Sequence, residues 1–344
     1  MKLLVTGGAG FIGSNFIRWA FSSRPDVSIV NFDKLTYAGN LENLADLSSH
    51  PCYEFIRGDI ADPVAVASVF ARPFDAVIHF AAETHVDRSI EDSSPFLRTN
   101  VLGTHILLEA ARQRRIPRFL HISTDEVYGS ALSGQSFAED ARLAPASPYA
   151  ASKASADLFV LSYVRTFNLP AIILRCTNNY GPFQFPEKII PLMIANALEE
   201  KPLPVYGDGL HERDWLFVTD FCRAIGCALE HGTPGEVYNV STNLTRPNLS
   251  LVELILAQLG KFHSLIQHVT DRPGHDRRYS LDSTKIRRQL GWQPQVSFEV
   301  GIRQTIDWYR ANSAWLVRAR SSEYRDYYER HYLRRAATLN SIAR

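Results

Sequence analysis

The stretch Leu3-Leu-Val-Thr-Gly7-Gly-Ala-Gly-Phe-Ile-Gly13 decides the fold of this 344-residue chain. A short apolar run leads into glycines at positions 7, 10 and 13, and apolar residues then recur at helical spacing from Ser14 to Phe21. Strand, glycine turn and helix in this order form the phosphate cradle of a nucleotide-binding fold. The spacing Gly-x-x-Gly-x-x-Gly is not the commonest fingerprint, so a turn of purely structural use is the alternative.

The next predicted strand ends in a carboxylate. Val27-Ser-Ile-Val-Asn-Phe-Asp33 is an apolar run whose last residue lies twenty positions after Gly13. An aspartate at this place accepts hydrogen bonds from the ribose hydroxyls of an adenosine and repels a 2′-phosphate. Together with the glycine turn, Asp33 predicts a site for NAD rather than NADP.

Strands and helices alternate through the first half of the chain. We predict further strands over Tyr53–Ile60, Asp75–Phe80, Arg118–Thr124 and Ala171–Cys176, and a long helix over Phe96–Arg112. Apolar strands that alternate with helices indicate a parallel sheet covered on both faces. The predicted class is therefore α/β, a Rossmann-type doubly wound parallel sheet with a smaller C-terminal substrate-binding lobe.

Composition restricts the partners. Hydrophobic residues make up 45% of the chain, charged residues 21%, and the formal net charge is +1, the ordinary mix of a soluble globular protein. We expect neither nucleic acid nor a membrane as a partner, because no global charge attracts them and no segment is long and apolar enough to span a bilayer. The four cysteines lack the paired spacing of a metal site, and reduced cysteines fit the cytoplasm.

Two clusters of reactive side chains follow the predicted fifth strand. Thr124-Asp125-Glu126 stands at its end, where substrates bind in such sheets. Tyr149 and Lys153 are four residues apart in a predicted helix over Pro148–Phe167, so they share one helical face. There the ammonium is expected to lower the pKa of the tyrosine. Two adjacent carboxylates indicate that protons are moved in addition to hydride.

These motifs together resemble the extended short-chain dehydrogenase/reductase superfamily and its NAD-dependent epimerase/dehydratase family. The segment Thr124-Asp-Glu-Val-Tyr-Gly129 narrows the resemblance to the nucleotide-sugar 4,6-dehydratases that act on dTDP-glucose, since epimerases usually carry small residues there. Other similar stretches are Phe32–Asn40, Ala81–Ser89, Arg175–Pro182, Phe185–Pro191, Arg213–Trp215 and Arg272–Tyr279. The resemblance spans residues 1–309.

The resemblance implies oxidation of sugar C4 by NAD, loss of water across C5 and C6, and return of hydride to C6. It assigns activation of the C4 hydroxyl to Tyr149 with Lys153, removal of the C5 proton to Glu126, protonation of the C6 hydroxyl to Asp125, and a hydrogen bond to the C4 oxygen to Thr124. Asp125 should then have a raised pKa, from burial and from Glu126.

The resemblance also implies the binding residues. Cofactor contacts are expected from the glycine turn, the strand ends and the catalytic helix: Gly7, Gly10, Phe11, Ile12, Gly13, Asp33, Lys34, Leu35, Thr36, Asp59, Ile60, Phe80, Ala81, Ala82, Thr84, Thr99, Tyr149, Lys153 and Asn179. Contacts to the nucleotide-diphosphate sugar are expected from Thr84, Thr124, Asn178, Lys188, Pro204, Tyr206, Arg213, Asn248, Arg272 and His275. Within this set, an ion pair is the structural alternative for Arg213.

The expected organisation is a NAD-binding domain over residues 1–180, a nucleotide-sugar-binding lobe over 181–330 and a tail over 331–344, with a chain crossover between the first two. The resemblance implies a homodimer formed through the helices Phe96–Arg112 and Pro148–Phe167. The tail from Ser313 onward is rich in Arg and Tyr and is predicted to be helical.

Three alternatives stay open at this point. The chain could dehydrate another nucleotide sugar such as UDP-glucose, because the loop Ser241–Asn248 and the pair His211-Glu212 depart from the family pattern. It could be a 4-epimerase, although an epimerase has no need of Asp125 and Glu126. It could be a NAD-sensing regulator without catalysis, but such a chain should have lost some of these reactive residues.

Overall fold

The computed structural model describes residues 1–320 together with residues 328, 329 and 332. Its strands, in chain order, are β1 Lys2–Thr6, β2 Ser28–Asp33, β3 Tyr53–Arg57, β4 Ala76–His79, β5 Phe119–Thr124, β6 Ala171–Cys176, β7 Asn178–Tyr180, β8 Leu203–Tyr206, β9 Glu212–Phe217, β10 Val237–Val240, β11 Thr245–Pro247 and β12 Ile266–Val269.

Twelve α-helices connect the strands within the described part of the chain: α1 Phe11–Ser23, α2 Pro63–Val69, α3 Val86–Glu91, α4 Ser94–Phe96, α5 Thr104–Gln113, α6 Pro148–Phe167, α7 Ile189–Leu198, α8 Val218–His231, α9 Asn248–Leu259, α10 Thr284–Leu290, α11 Phe298–Ala311 and α12 Ser313–Ala319. Short 3₁₀ turns span Leu41–Leu47, Asp125–Tyr128 and His263–Leu265, and a π-helical turn spans Leu97–Gly103. Among these helices, none combines the length and hydrophobicity needed to cross a bilayer.

The central sheet has seven parallel strands in the order β3-β2-β1-β4-β5-β6-β10. The first six follow the doubly wound order in which the strand sequence reverses beside β1, which opens a crevice at the carboxyl ends of the strands. The predicted Rossmann-type α/β class is confirmed. The last strand, β10, comes from the second half of the chain and pairs with β6.

Helices cover both faces of this sheet, as buried apolar strands require. One layer packs α1 and α8 against residues such as Leu3, Ile78 and Leu120, and the other packs α2, α5 and α6 against Leu4 and Val77. All of these strand residues are fully buried. Successive side chains along each strand therefore pack into two separate hydrophobic cores, one on each face of the sheet.

A smaller lobe carries its own core. Its β-structure is one three-stranded sheet in the order β11-β9-β7 and one pair of β12 with β8. Helices α7, α9, α11 and α12 pack their apolar side chains together beside it, with Ile194, Ile255 and Tyr309 fully buried.

The structure places several helix boundaries differently from the sequence prediction. The predicted helix over Phe96–Arg112 is a continuous helical run whose middle widens into the π turn Leu97–Gly103 before α5. The predicted helix Pro148–Phe167 is α6, with Ser147 as its N-cap. The predicted helical tail is described only as far as α12, and the segment 331–344 lies outside the described residues apart from 332. The division at residues 180 and 330 stays a prediction.

Candidate active site

The glycine turn brings the backbone close to its neighbours. Gly7 has φ +71°, and a Cβ there would lie 2.5 Å from the backbone nitrogen of Ala81. A Cβ on Gly13 would collide with the carbonyl oxygen of Gly7. Gly10 is the N-cap of α1, whose first turn holds no acidic side chain. The free N–H groups of that turn therefore face a cradle that only glycine leaves open, which fits a pyrophosphate.

Asp33 lies at the end of β2, next to this turn. Its carboxylate accepts hydrogen bonds from the backbone N–H groups of Ala9 at 2.9 Å and Leu35 at 2.8 Å. Burial nevertheless raises its pKa. The two backbone bonds hold the carboxylate in one orientation and leave acceptor capacity for ribose hydroxyls. The cradle and this carboxylate together fit NAD.

A cavity of about 290 Å³ runs from the cradle to the carboxyl ends of the central strands. Of the residues predicted to contact the cofactor, it is lined by Gly7, Gly10, Phe11, Ile12, Gly13, Asp33, Lys34, Thr36, Asp59, Ile60, Phe80, Ala81, Ala82, Thr84, Thr99, Tyr149, Lys153 and Asn179. Leu35 is not among the lining residues, and it meets the site through its bond to Asp33. The cavity also reaches Thr124, Asp125 and Glu126.

The triplet Thr124-Asp125-Glu126 is held by its own hydrogen bonds. Thr124 ends β5 and caps the following 3₁₀ turn, because its hydroxyl accepts from the Glu126 N–H at 3.3 Å. The same hydroxyl donates to Asp125 Oδ1 at 3.1 Å, and the Thr177 hydroxyl donates to Asp125 Oδ2 at 3.1 Å. Both oxygens of Asp125 are thus oriented by neighbouring strand ends.

The two carboxyl groups differ in their surroundings. Burial, and then the Glu126 carboxylate, raise the pKa of Asp125 to about 7. Burial also raises the pKa of Glu126, while the positive charges of Arg272, Arg213 and Lys188 act against that rise. The expected upward shift of Asp125 is therefore present, with the cause that the sequence suggested. Near neutral pH this pair offers one protonated acid beside a carboxylate surrounded by cations.

The prediction that the Lys153 ammonium lowers the pKa of Tyr149 is wrong. Burial first, and then the Glu126 carboxylate, raise the pKa of Tyr149 well above its ordinary value, and the hydrogen bond with Thr124 acts against that rise. The Lys153 ammonium donates instead to the backbone carbonyl of Ile122 at 2.7 Å. Burial lowers the pKa of Lys153 to about 8. The two side chains line one cavity, as predicted, but desolvation dominates their protonation.

A second cavity of about 170 Å³ adjoins the first. Of the predicted substrate residues, it is lined by Thr84, Asn178, Lys188, Pro204, Tyr206, Arg213, Asn248, Arg272 and His275, whereas Thr124 lines the first cavity. Glu126 and Lys188 line both cavities, so the acid pair lies where they meet.

Three cations surround this second cavity. Lys188 donates to the carbonyl of Thr84 at 2.9 Å. Arg272 lies 3.3 Å from Asp87, and Arg213 donates at 2.8 Å to the carbonyl of Asp276. Binding to uncharged carbonyls leaves the charge of Lys188 and Arg213 available to an anion. The chain as a whole is nearly neutral, so this local charge is what a diphosphate would meet.

Three asparagine side chains line the two cavities: Asn179 lines the first, Asn248 the second and Asn178 both. The Oδ1 atoms of Asn178, Asn179 and Asn248 are buried and have no hydrogen-bond partner among the described residues. Buried polar atoms are normally bonded. These three acceptors therefore fit the hydroxyl and amide groups of ligands in the two cavities.

Sequence reasoning missed three residues of the site. Tyr279 donates to Glu126 at 3.3 Å and to Asp276 at 2.9 Å. Asp87 accepts from the hydroxyl of Tyr206 at 2.8 Å, and Thr177 orients Asp125. All three lie within stretches that carried the resemblance, and that position was the only available signal.

His211, Asp271 and His275 form a compact group, of which His275 lines the second cavity. Their ligand atoms lie within 4.8 Å of one another, close enough to hold a metal ion. The two imidazole rings stack at 3.8 Å with 13° between their planes, and both face the Asp271 carboxylate, at 3.2 Å and 2.6 Å. Parallel rings that share one carboxylate form a hydrogen-bonded stack around His275.

The fold and the site define the class: a Rossmann protein of the extended short-chain dehydrogenase/reductase type with an acid pair beside its tyrosine and lysine. A family model described as GDP-mannose 4,6 dehydratase matches residues 4–305, and the chain belongs to that family. It is 52% identical to a dTDP-glucose 4,6-dehydratase of an Actinoplanes species, over 92% of this chain and 99% of that relative.

Two solved structures of similar proteins have the same fold as this chain. The dTDP-glucose 4,6-dehydratase of Streptomyces venezuelae, crystallised with NAD and TYD bound, has a TM-score of 0.90 and 49% identity, covering 93% of this chain and all of that chain. The UDP-glucose 4-epimerase of Thermus thermophilus, in complex with NAD, has a TM-score of 0.84 and 32% identity, covering 91% and 100%. The backbone is thus shared by both activities, and the identity is higher with the dehydratase.

Proposed function

We propose that this chain is a NAD-dependent nucleotide-sugar 4,6-dehydratase that converts dTDP-glucose to dTDP-4-keto-6-deoxyglucose. The observation that carries the proposal is the pair of buried Asp125 and partly buried Glu126, which line one cavity with Tyr149, with the pKa of Asp125 raised to about 7. An epimerase needs only oxidation and reduction at C4, whereas elimination of water needs an acid and a base. The relatives named as dTDP-glucose 4,6-dehydratases support the same activity.

NAD, when bound, supplies the hydride acceptor for sugar C4 and the hydride donor for C6. In the proposed mechanism Tyr149 acts in its ionised form: it takes the proton of the C4 hydroxyl, and Thr124 donates a hydrogen bond to that oxygen. Because burial and the Glu126 carboxylate raise the pKa of Tyr149, this form needs a positive charge nearby. Lys153 is still mostly protonated at pH 7, because its pKa is about 8, and it keeps a positive charge on the face of α6 that carries Tyr149.

The ketone formed at C4 acidifies the hydrogen on C5. We assign removal of that proton to Glu126, whose charge is supported by Arg272, Arg213 and Lys188. We assign protonation of the departing C6 hydroxyl to Asp125, which binds a proton near neutral pH. Reprotonation at C5 by Glu126 restores that carboxylate. Tyr149 still holds the proton of the C4 hydroxyl, and Asp125 has given its own proton to the departing water. Transfer of one proton from Tyr149 to Asp125, directly or through solvent, then returns both groups to their starting states.

For the remainder of the substrate, Lys188, Arg213 and Arg272 are proposed to hold the diphosphate, and Pro204 and Tyr206 to flank the base. These residues line the second cavity, which meets the first at Glu126. The pyrophosphate would thus anchor the sugar so that C4 to C6 reach the acid pair.

The test is a panel of dTDP-glucose, UDP-glucose and GDP-mannose incubated with the purified protein without added NAD. We expect a product lighter by one water only from dTDP-glucose, detected by mass spectrometry, with a 4-keto signal in the NMR spectrum. An equal-mass epimer, or no product from any of the three sugars, would contradict the proposal. Loss of water from UDP-glucose alone or GDP-mannose alone would leave the dehydratase activity in place and show that dTDP-glucose is the wrong substrate.

We further propose the division into residues 1–180, 181–330 and 331–344, a homodimer and a cytoplasmic location. Exposed apolar side chains on the π turn and α6 support the dimer: Leu97 and Leu158 are each 58% exposed. Buried thiols at Cys176 and Cys222 suit a reducing compartment. Sedimentation velocity of the wild type and of Leu158→Lys tests the dimer, which the added charge should dissociate.

A further inference from the structure

The segment 34–47, here called the strap, follows β2 and passes along the NAD cavity. Thr36, Ala38 and Gly39 line the cavity from this side. Phe185 and Glu187, from the segment before α7, line the same cavity. A cofactor in the cavity would therefore touch both the strap and the C-terminal lobe.

The strap is bonded to the lobe at Tyr37. The Tyr37 hydroxyl donates to Glu187 Oε1 at 3.2 Å, and the Tyr37 ring meets the edge of Phe185 at 5.7 Å. Arg88 completes this contact, because its guanidinium lies 3.7 Å from the centre of the Tyr37 ring and its Nε lies 3.5 Å from Glu187 Oε2. Glu187 is only 3% exposed, so its bonds are made in a desolvated setting where they are strong.

A second attachment lies at Asn43, at the other end of the strap. The indole N–H of Trp315, on α12, donates to Asn43 Oδ1 at 2.9 Å. The Asn43 amide donates in turn to the carbonyl of Ala9, within the glycine turn, at 3.1 Å. Asn43 is 1% exposed. One buried side chain thus links the phosphate cradle, the strap and the last described helix.

We propose that Tyr37 and Trp315 are positioning residues that fasten the strap to the lobe and thereby slow the release of NAD. The proposal rests on the proposed function, in which the cofactor is reduced and reoxidised within one turnover and has no need to leave. Tyr37 and Glu187 are 150 positions apart in the chain, so the two attachments span both halves of the molecule. Release then requires both to open.

The test measures the dissociation of radiolabelled NAD from the holoenzyme during a chase with unlabelled NAD. Tyr37→Phe keeps the ring and its contacts and removes only the bond to a carboxylate, so dissociation should be about tenfold faster or more. Trp315→Phe should also accelerate release, and the double variant should exceed either. Tyr238→Phe is the matched control, because that hydroxyl accepts from the Thr233 N–H, far from the strap, and it should exchange NAD as the wild type does.

Melting temperatures of the NAD-free proteins separate positioning from general destabilisation. Faster release from Tyr37→Phe with an unchanged melting temperature supports the proposal. Wild-type exchange rates in the double variant, or no bound NAD in any form, overturn it. The exchange needs no sugar, so a protein that dehydrates nothing but releases NAD faster on Tyr37→Phe would refute the proposed function and uphold the strap.

Discussion

Replacing Asp125 by Asn and Glu126 by Gln should separate oxidation of the sugar from elimination of water. The two amides keep the size of the carboxyl groups, and the amide that replaces Asp125 can still form hydrogen bonds with Thr124 and Thr177. They cannot exchange the protons that elimination requires. Tyr149, the group proposed to act at C4, is unchanged, so substrate should still reduce the bound cofactor.

The magnitude follows from the two roles. A well-placed general acid or base contributes about 10²–10⁴-fold to a rate. Both carboxyl groups act on the same elimination, so their effects overlap and do not simply multiply. We expect the yield of 4-keto-6-deoxy product per unit time to fall by about 10³-fold or more.

The assay is a single turnover with excess enzyme. Absorbance of the reduced nicotinamide should rise and persist in the double variant, whereas in the wild type it should rise and decay as product forms. Asp140→Asn is a control, since Asp140 is exposed and lines neither cavity. Normal product formation by the double variant would refute the assignment of Asp125 and Glu126.

The pH dependence checks the same assignment. The pKa of Asp125 is raised to about 7, so its protonated, active form declines as the pH rises through 7. The elimination rate should therefore fall by about tenfold per pH unit well above that value. A rate that increases steadily from pH 7 to 9, measured by the decay of the reduced cofactor, would exclude Asp125 as the acid.

Three further substitutions test binding. Gly13→Ala should abolish NAD retention, measured by the absorbance of the purified protein, because the added Cβ collides with the Gly7 carbonyl. Arg213→Lys should raise the KM for dTDP-glucose about tenfold or more with a smaller change in kcat, because a lysine cannot keep the planar bonds to carbonyls and still face an anion. Asp33→Asn should lower the affinity for NAD about tenfold, measured by equilibrium dialysis. It should also reduce the preference of the protein for NAD over NADP, because the charge that repels a 2′-phosphate is lost.

Features that depend on neighbouring residues could be predicted from the sequence. The glycine turn needs a positive φ at Gly7 and a close approach at Gly13, and both requirements are met within seven consecutive residues. The shared face of Tyr149 and Lys153 follows from helical periodicity. Burial is the largest cause of the raised pKa of Asp125 and depends on packing, but the second cause, the Glu126 carboxylate, was foreseeable because it is the next residue.

Features that depend on tertiary packing could not be predicted from the sequence. The pKa of Tyr149 is set by burial and by Glu126 rather than by the lysine one helical turn away. Tyr279 reaches Glu126 across 153 positions of sequence. The bond from Tyr37 to Glu187 likewise has no local signature.

The sequence by itself determined the phosphate cradle, the order of strands and helices and the identity of the reactive side chains, because each is encoded in short-range periodicity or in adjacent residues. Only the tertiary structure decided how those side chains are protonated, which cations face the second cavity and how the strap is fastened. Desolvation and long-range contacts exist only once the two halves of the chain have packed together, and no spacing within the sequence reports them.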